Sequence, residues 1–149
     1  MANIQGRNQW LGTYGKVWWD GEEVFEIESF EAKIKVERDD VSFAGSLDSD
    51  SKIKGMKGEG KMKIKKIFSR GKRKMLEAYK RGEDIRSQLV GKVSDPDAIG
   101  KQSERIVLNN VWFNDLTLMD FELNKKMDEE ISFGFTASDV DFADEAKVM

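Results

Sequence analysis

A mainly β fold, a small sandwich or barrel of about seven strands with one flanking α-helix, is what this sequence predicts. Three observations carry that expectation. Apolar residues recur with period two along most of the chain. Short turn signals separate those runs. Only residues 69–82 show a helical pattern with a start and a stop residue. At 149 residues the chain suits one domain, 1–149.

Residues 1–14 read as an N-terminal arm, with Trp10, Leu11 and Tyr14 set among Gly6, Gly12 and Gly15. Residues 16–19 form a short strand, and Asp20-Gly21 is the two-residue turn that suits a hairpin. The return strand places Phe25 and Ile27 on one parity, then Phe30, Ala32, Ile34 and Val36 on the other. The phase slip at Glu28-Ser29 predicts a bulge. Residues 56–68 alternate Met56, Gly58, Gly60, Met62 and Ile64 against Lys57, Glu59, Lys61, Lys63 and Lys65. The two glycines predict a close backbone approach or a bend.

Ser69 reads as an N-cap for a helix through about Arg81 that buries Met75, Leu76 and Tyr79 and stops at Gly82. Lys80 and Arg81 lie in its last turn, where cations suit the helix dipole. Residues 85–93 alternate again and end before Asp95-Pro96-Asp97. Residues 105–113, 116–123 and 131–136 complete the strands, the last two joined by a charged turn at 124–130. Trp18 and Trp112 fall in registers that suggest core.

Residues 38–54 do not fit a closed monomer. Seventeen residues without a clear secondary-structure pattern are unusual in a compact domain. Ser42, Gly45, Ser46, Ser49 and Ser51 suit a mobile loop, whereas Val41, Phe43, Leu47 and Ile53 are apolar. Those four either fold back on their own sheet or dock on a neighbouring subunit. Docking is the reading favoured here, both for this loop and for the arm.

The 25 Lys/Arg and 28 Asp/Glu leave a net charge of −3, but the charges are segregated. Residues 52–81 hold thirteen Lys/Arg against Glu59 and Glu77. Acidic blocks occupy residues 20–31 and the tail from Asn114. Three readings are open: solvated faces, complementary faces of neighbouring subunits, or a nucleic-acid-binding segment. Phe68 and Tyr79 are the only aromatics in the basic stretch available to stack bases.

Chemistry finds little support. The chain has no histidine and no cysteine, so the commonest general base, the usual metal ligands and thiol nucleophiles are missing. Gly55, Gly58 and Gly60 lie in a strand pattern and not in a phosphate loop. Asp48-Ser49-Asp50-Ser51 and Asp139-Val140-Asp141 lack the glycine and distal acid of a calcium loop. Asp128-Glu129-Glu130 reads as an ordinary acidic turn, and none of the four tryptophans is assigned to binding. The expectation is a protein without catalytic residues, cofactor or metal. The longest uncharged run, residues 106–114, is about half a membrane span. With no basic n-region or apolar h-region after Met1, synthesis in the cytoplasm without a signal peptide or membrane anchor is expected.

Several stretches, in order, resemble the tail-tube (core tail) proteins of contractile phages, of the kind found in PBSX-type defective prophages and contractile bacteriocins. They are Trp19-Asp20-Gly21-Glu22-Glu23, Glu28-Ser29-Phe30-Glu31-Ala32-Lys33, Asp39-Asp40-Val41-Ser42-Phe43-Ala44-Gly45, Ile53-Lys54-Gly55 and Gly58-Glu59-Gly60-Lys61-Met62. Lys65-Lys66-Ile67-Phe68-Ser69-Arg70, Asp95-Pro96-Asp97-Ala98-Ile99-Gly100 and Glu130-Ile131-Ser132-Phe133-Gly134-Phe135 continue the match, which spans about residues 10–142. The lysine richness of residues 52–74 is a departure from that pattern.

The resemblance implies a tail-tube-like fold that assembles as hexameric rings stacked into a hollow tube, located in the tail of a virion or phage-like particle. It implies further copies of itself, sheath protein, baseplate or initiator proteins and a tape-measure protein as partners, with DNA in transit as a further candidate. Under it, residues 38–54 become an inter-ring loop carrying Asp39, Asp40, Val41, Ser42, Phe43, Ala44, Gly45, Leu47 and Ile53. The flanking strands become lumen-lining, with Glu31, Lys33, Lys35 and Glu37 beside Lys57, Glu59, Lys61, Lys63 and Lys65. Fixed cations bind phosphates, so either these lysines pair with acids of a neighbouring subunit, such as Glu122 or the 20–31 block, or DNA transit is not the main task. The alternatives are a nucleic-acid-binding β module using residues 52–81 and a type VI secretion-like tube subunit.

Overall fold

The computed structural model describes residues 3–149. Among them are eight strands, all antiparallel, and one α-helix: β1 (Gly15–Trp19), β2 (Glu22–Glu23), β3 (Ile27–Ser42), β4 (Ser49–Lys65), α1 (Lys72–Lys80), β5 (Ser87–Val93), β6 (Glu104–Phe113), β7 (Asp128–Phe135) and β8 (Val140–Asp144). The strand order is β2-β1-β5-β6-β7-β4-β3, with β8 added to β6. The path folds into two layers at β6. Its first part pairs with β5 and β8, and its last two residues, Trp112 and Phe113, cross to pair with Gly134 and Phe133 of β7.

The core fills the space between the layers. Val17, Leu89, Leu108 and Val111 come from one layer, Met62, Ile64, Phe133 and Phe135 from the other, and Met75 from the helix. Full burial of side chains such as Phe133, Met62 and Leu89 contributes about 1.5–3 kcal/mol each. Phe30 of β3 lies against Gly91 of β5, where an added Cβ would sit 3.1 Å from the Phe30 ring. Gly58 and Gly60 behave as their pattern predicts. The rings of Phe135 and Phe133, their cross-strand partners on β7, occupy the space a side chain would need.

The Asp20-Gly21 turn has φ of 50° and 83°, the left-handed pair that joins twisted strands. The predicted bulge falls between Ile27 and Ser29. Phe25 lies outside the strands and is exposed, so it shares no core face with Ile27.

Four expectations are corrected. Residues 38–54 are not a structureless loop: β3 and β4 stay paired out to Ser42 and Ser49, leaving only residues 43–48 as the turn. Pairing skips Lys54, so Ile53 shares the face of Met56, and the alternation that marks a strand is broken at that point. Residues 116–123 are not a strand, because no neighbour pairs with them. The helix begins at Lys72 after Gly71, whose φ of 70° makes a left-handed entry; it buries Met75 and Ala78, leaving Tyr79 exposed. Gly82 ends it as expected, donating its N–H to the Tyr79 carbonyl. Finally, Trp18 and Trp112 are not core residues. Val17 and Trp19 point inward, with Trp19 against Phe113 at 5.1 Å, while Trp18 and Trp112 are half-buried under Arg105 and Arg86.

Candidate assembly surfaces

The longest strands make the most exposed feature. β7 pairs with β4 only from Gly58 to Lys65. Beyond that point β3 and β4 continue as a two-stranded ribbon, reaching about 27 Å further at ~3.4 Å per residue. Lys54 and Asp39 pair across it at 3.7 Å, and Arg38 donates to Ser51 Oγ at 3.4 Å. Ile34, Val36, Met56 and Ile53 share one face of the strands and are exposed, as are Phe43 and Leu47 at the turn; Phe43 is 66% accessible. Val41 is half-buried, and Asp39, Asp40, Ser42, Ala44 and Gly45 are exposed. Two-stranded ribbons are marginal alone in water, and this one carries an uncovered apolar stripe.

The same strands carry one charged face, which runs from the body onto the start of the ribbon. Register places Glu31 opposite Lys61, Lys33 opposite Glu59, Lys35 opposite Lys57 and Glu37 opposite Gly55. On the other side of β4, Lys65 stands opposite Asp128, Lys63 opposite Glu130 and Lys61 opposite Ser132. All the residues expected on a lumen-lining face therefore share one surface. Its acids come from the same chain: Lys63 Nζ is 3.9 Å from Asp128, and Lys33 Nζ is 3.5 Å from Glu31 and 4.0 Å from Glu59. Glu122, one of the acids expected to reach these lysines from a neighbouring subunit, pairs within its own chain with Lys125 at 3.0 Å. At one end of the face Trp112 lies over Gly134 and stacks with Arg86 at 4.9 Å.

The basic segment 52–81 does not form one continuous surface. Lys57, Lys61, Lys63 and Lys65 belong to the charged face, and Lys52 and Lys54 to the outer ribbon. Lys66 and Lys72 converge on Glu129 at 3.3 and 2.6 Å, and Arg70 is drawn onto the buried Glu26. The Glu129 bond raises the Lys72 ammonium above its ordinary value against the opposing effect of burial.

The N-terminal arm is tied down by polar contacts. Leu11 N–H donates to Asp95 Oδ2 at 2.9 Å, and the Asn8 amide donates to the Asp97 carbonyl. Asp95 is buried and also accepts from Asp97 N–H, so the Asp95-Pro96-Asp97 turn serves as the arm's anchor. Leu11 and Tyr14 remain exposed, while Trp10 lines an open groove of ≈ 820 Å³ with Phe30, Gly91 and Ile106.

Sequence reasoning missed two features. Residues 114–127 carry exposed Leu118, Met119, Phe121 and Leu123, held to the body where Lys72 Nζ donates to the Leu118 carbonyl. Their alternation was strand-like, and it marks surface side chains instead. β8 was unexpected; Asp141 Oδ2, in a motif weighed for calcium, accepts from the Asn109 amide at 3.3 Å. Among the described residues no group of three or more metal-binding side chains converges, and no helix is long and apolar enough to cross a membrane.

The surfaces of this two-layer antiparallel fold are thus a projecting ribbon, a face of intermixed lysines and carboxylates, and several uncovered apolar segments. The family model for phage tail tube proteins matches residues 2–144, and the chain belongs to that family. It is 28% identical over 138 residues to the phage-like element PBSX protein XkdM of Bacillus subtilis (strain 168), covering 92% of this chain and 93% of the relative. YqbM of the same strain is 27% identical over 138 residues, with the same coverage. The fold is that of a chain in the structure of the anti-feeding prophage cap, which terminates the tube (TM-score 0.66, 13% identity, 95% of this chain and 97% of that one). It is also that of a chain in the sheath-tube complex of an extracellular contractile injection system, PVC, in the extended state (TM-score 0.63, 10% identity, 89% and 90%).

Proposed function

We propose that this chain is the structural subunit of the inner tube of a contractile phage or phage-like particle, closing into hexameric rings that stack into a hollow channel. The observation that carries the reading is the β3–β4 ribbon, which leaves the body with an apolar stripe and an apolar tip uncovered. Seating Phe43, Leu47 and Met56 on another copy contributes about 1.5–3 kcal/mol for each large side chain fully buried. The ribbon is already paired, so less ordering entropy opposes the contact than a mobile loop would demand. A surface meeting a different surface of the next copy generates rings and stacks. β3 lies at the end of the strand order, and its outer edge is a further place where a neighbour can add. In this reading the charged face of β3, β4 and β7 lines the channel, the arm with Trp10, Leu11 and Tyr14 makes a second contact, and sheath, baseplate and tape-measure proteins are the other partners.

Negative-stain microscopy of the purified protein at high concentration tests it. Hollow rods or six-fold rings are the expected result. A protein that stays monomeric at every concentration, by light scattering as well as by microscopy, would overturn it.

A further inference from the structure

The lysine-rich strand β4 alternates Lys57, Lys61, Lys63 and Lys65 on one face, a pattern that alone would make a polyanion-binding surface. The register changes that outcome. β7 lays Glu130 opposite Lys63 and Asp128 opposite Lys65, and the Asp128 carboxylate reaches Lys63 at 3.9 Å. With Glu31, Glu37 and Glu59, five carboxylates stand among six lysines on the shared face. Lys35 and Lys57 are its one directly opposed like-charged pair, just past the end of β7, where that strand supplies no carboxylate.

We propose that Asp128 and Glu130 are built-in counterions of the lysine strand, holding this face close to neutral so that a phosphodiester polyanion meets it without being retained. Binding of such a polymer requires fixed cations that displace its condensed counterions. Lys63, opposite Glu130 and within 3.9 Å of Asp128, and Lys65, opposite Asp128, gain less from that exchange than lysines with no carboxylate beside them. Removing both β7 carboxylates leaves six lysines against three acids and exposes the ladder. The inference deepens the tube reading, since it says what kind of polymer the channel face is suited to let pass, and it rests on that reading only for its purpose.

The experiment is fluorescence anisotropy of a labelled DNA duplex with dispersed protein between 50 and 200 mM salt. The wild-type protein is expected to show no saturable binding. Asp128→Asn/Glu130→Gln is expected to bind, with an affinity that falls about tenfold across that salt range as two more cations become available. Asp144→Asn/Glu145→Gln makes the same change in net charge at the β8 end of the chain, off this face, and is expected to behave as wild type. Should the β7 variant fail to fold by circular dichroism, Ser132→Lys, which adds a cation opposite Lys61 without removing an acid, decides the matter by binding or not binding. A wild type that binds with a steep salt slope, or equal binding by the β7 and β8 variants, would overturn the inference. Tubes in the microscope with a nucleic-acid-binding wild type would sink it and spare the tube; masking without tubes would do the reverse.

Discussion

The Arg70 guanidinium donates through Nε to both carboxylate oxygens of Glu26, at 3.1 and 3.0 Å, and the Glu26 side chain is wholly out of solvent. Nη2 also donates to the Glu23 carbonyl at 3.2 Å, and Nη1 lies 3.5 Å from the Glu22 carboxylate. One side chain thus ties the β2–β3 connection to the turn that launches α1. Arg70→Met leaves that carboxylate buried without its partner, and a loss of about 3–5 kcal/mol is expected from urea unfolding. A loss as small as that of an exposed pair, under about 1 kcal/mol, would show the contact to be dispensable.

The same pair sets a pH dependence. Burial alone would push the Glu26 carboxyl up, but the Arg70 hydrogen bond, a backbone bond and the Arg70 charge outweigh it and hold the group below its ordinary value of 4.5. On acidification the unfolded chain therefore takes up the proton first. The stabilisation is complete above that ordinary value and is lost as pH falls through the lower folded one. Lys72, raised by Glu129, works in the other direction: its contribution is complete below its ordinary value and is lost as pH rises through the folded one. Urea midpoints measured from pH 7 to pH 3 should fall for the wild type and fall less steeply for Glu26→Met/Arg70→Met.

The glycines of β4 differ in what surrounds them. A Cβ at Gly60 would lie 2.4 Å from both the Phe133 ring and the Glu31 carbonyl oxygen, whereas one at Gly55 would meet only the Glu37 side chain, at 3.5 Å. Gly60→Ala is expected to cost about 1–3 kcal/mol by overpacking, and Gly55→Ala to leave thermal stability close to wild type. Equal melting temperatures for the two variants would contradict the packing described.

Phe43 is expected to matter between subunits and not within one. Exposed at the ribbon turn, it can be replaced by Asp with a change in subunit stability within about 0.5 kcal/mol. The variant should fold by circular dichroism and fail to grow tubes in the electron microscope. Normal tubes from Phe43→Asp would remove the ribbon tip from the stacking contact.

Much of the fold was legible wherever a local pattern had a local cause. Asp20-Gly21 makes its turn because two adjacent residues tolerate left-handed backbone, and the slip at Glu28-Ser29 is a real shift of register. Gly58 and Gly60 read as close approaches and are crowded by aromatic rings. The outer ribbon was not legible, because residues such as Asp39, Asp40, Ser49 and Asp50 have weak strand preference and the skipped Lys54 inverts the alternation. Residues 116–123 had the alternation and lacked the partner, without which a strand does not form. The Asp95 anchor had no signal, since a buried carboxylate in a turn is identified only by what it accepts.

The order of residues by itself determined the β character, the single helix, the family resemblance and the poverty of catalytic side chains, because each depends on residue type and short-range spacing. Only the tertiary structure decided that a supposed loop is a paired ribbon with its apolar stripe uncovered, and that carboxylates of β7 stand opposite lysines of β4. Both depend on which strand lies beside which, and cross-strand pairing joins residues far apart in the chain whose proximity no local pattern records.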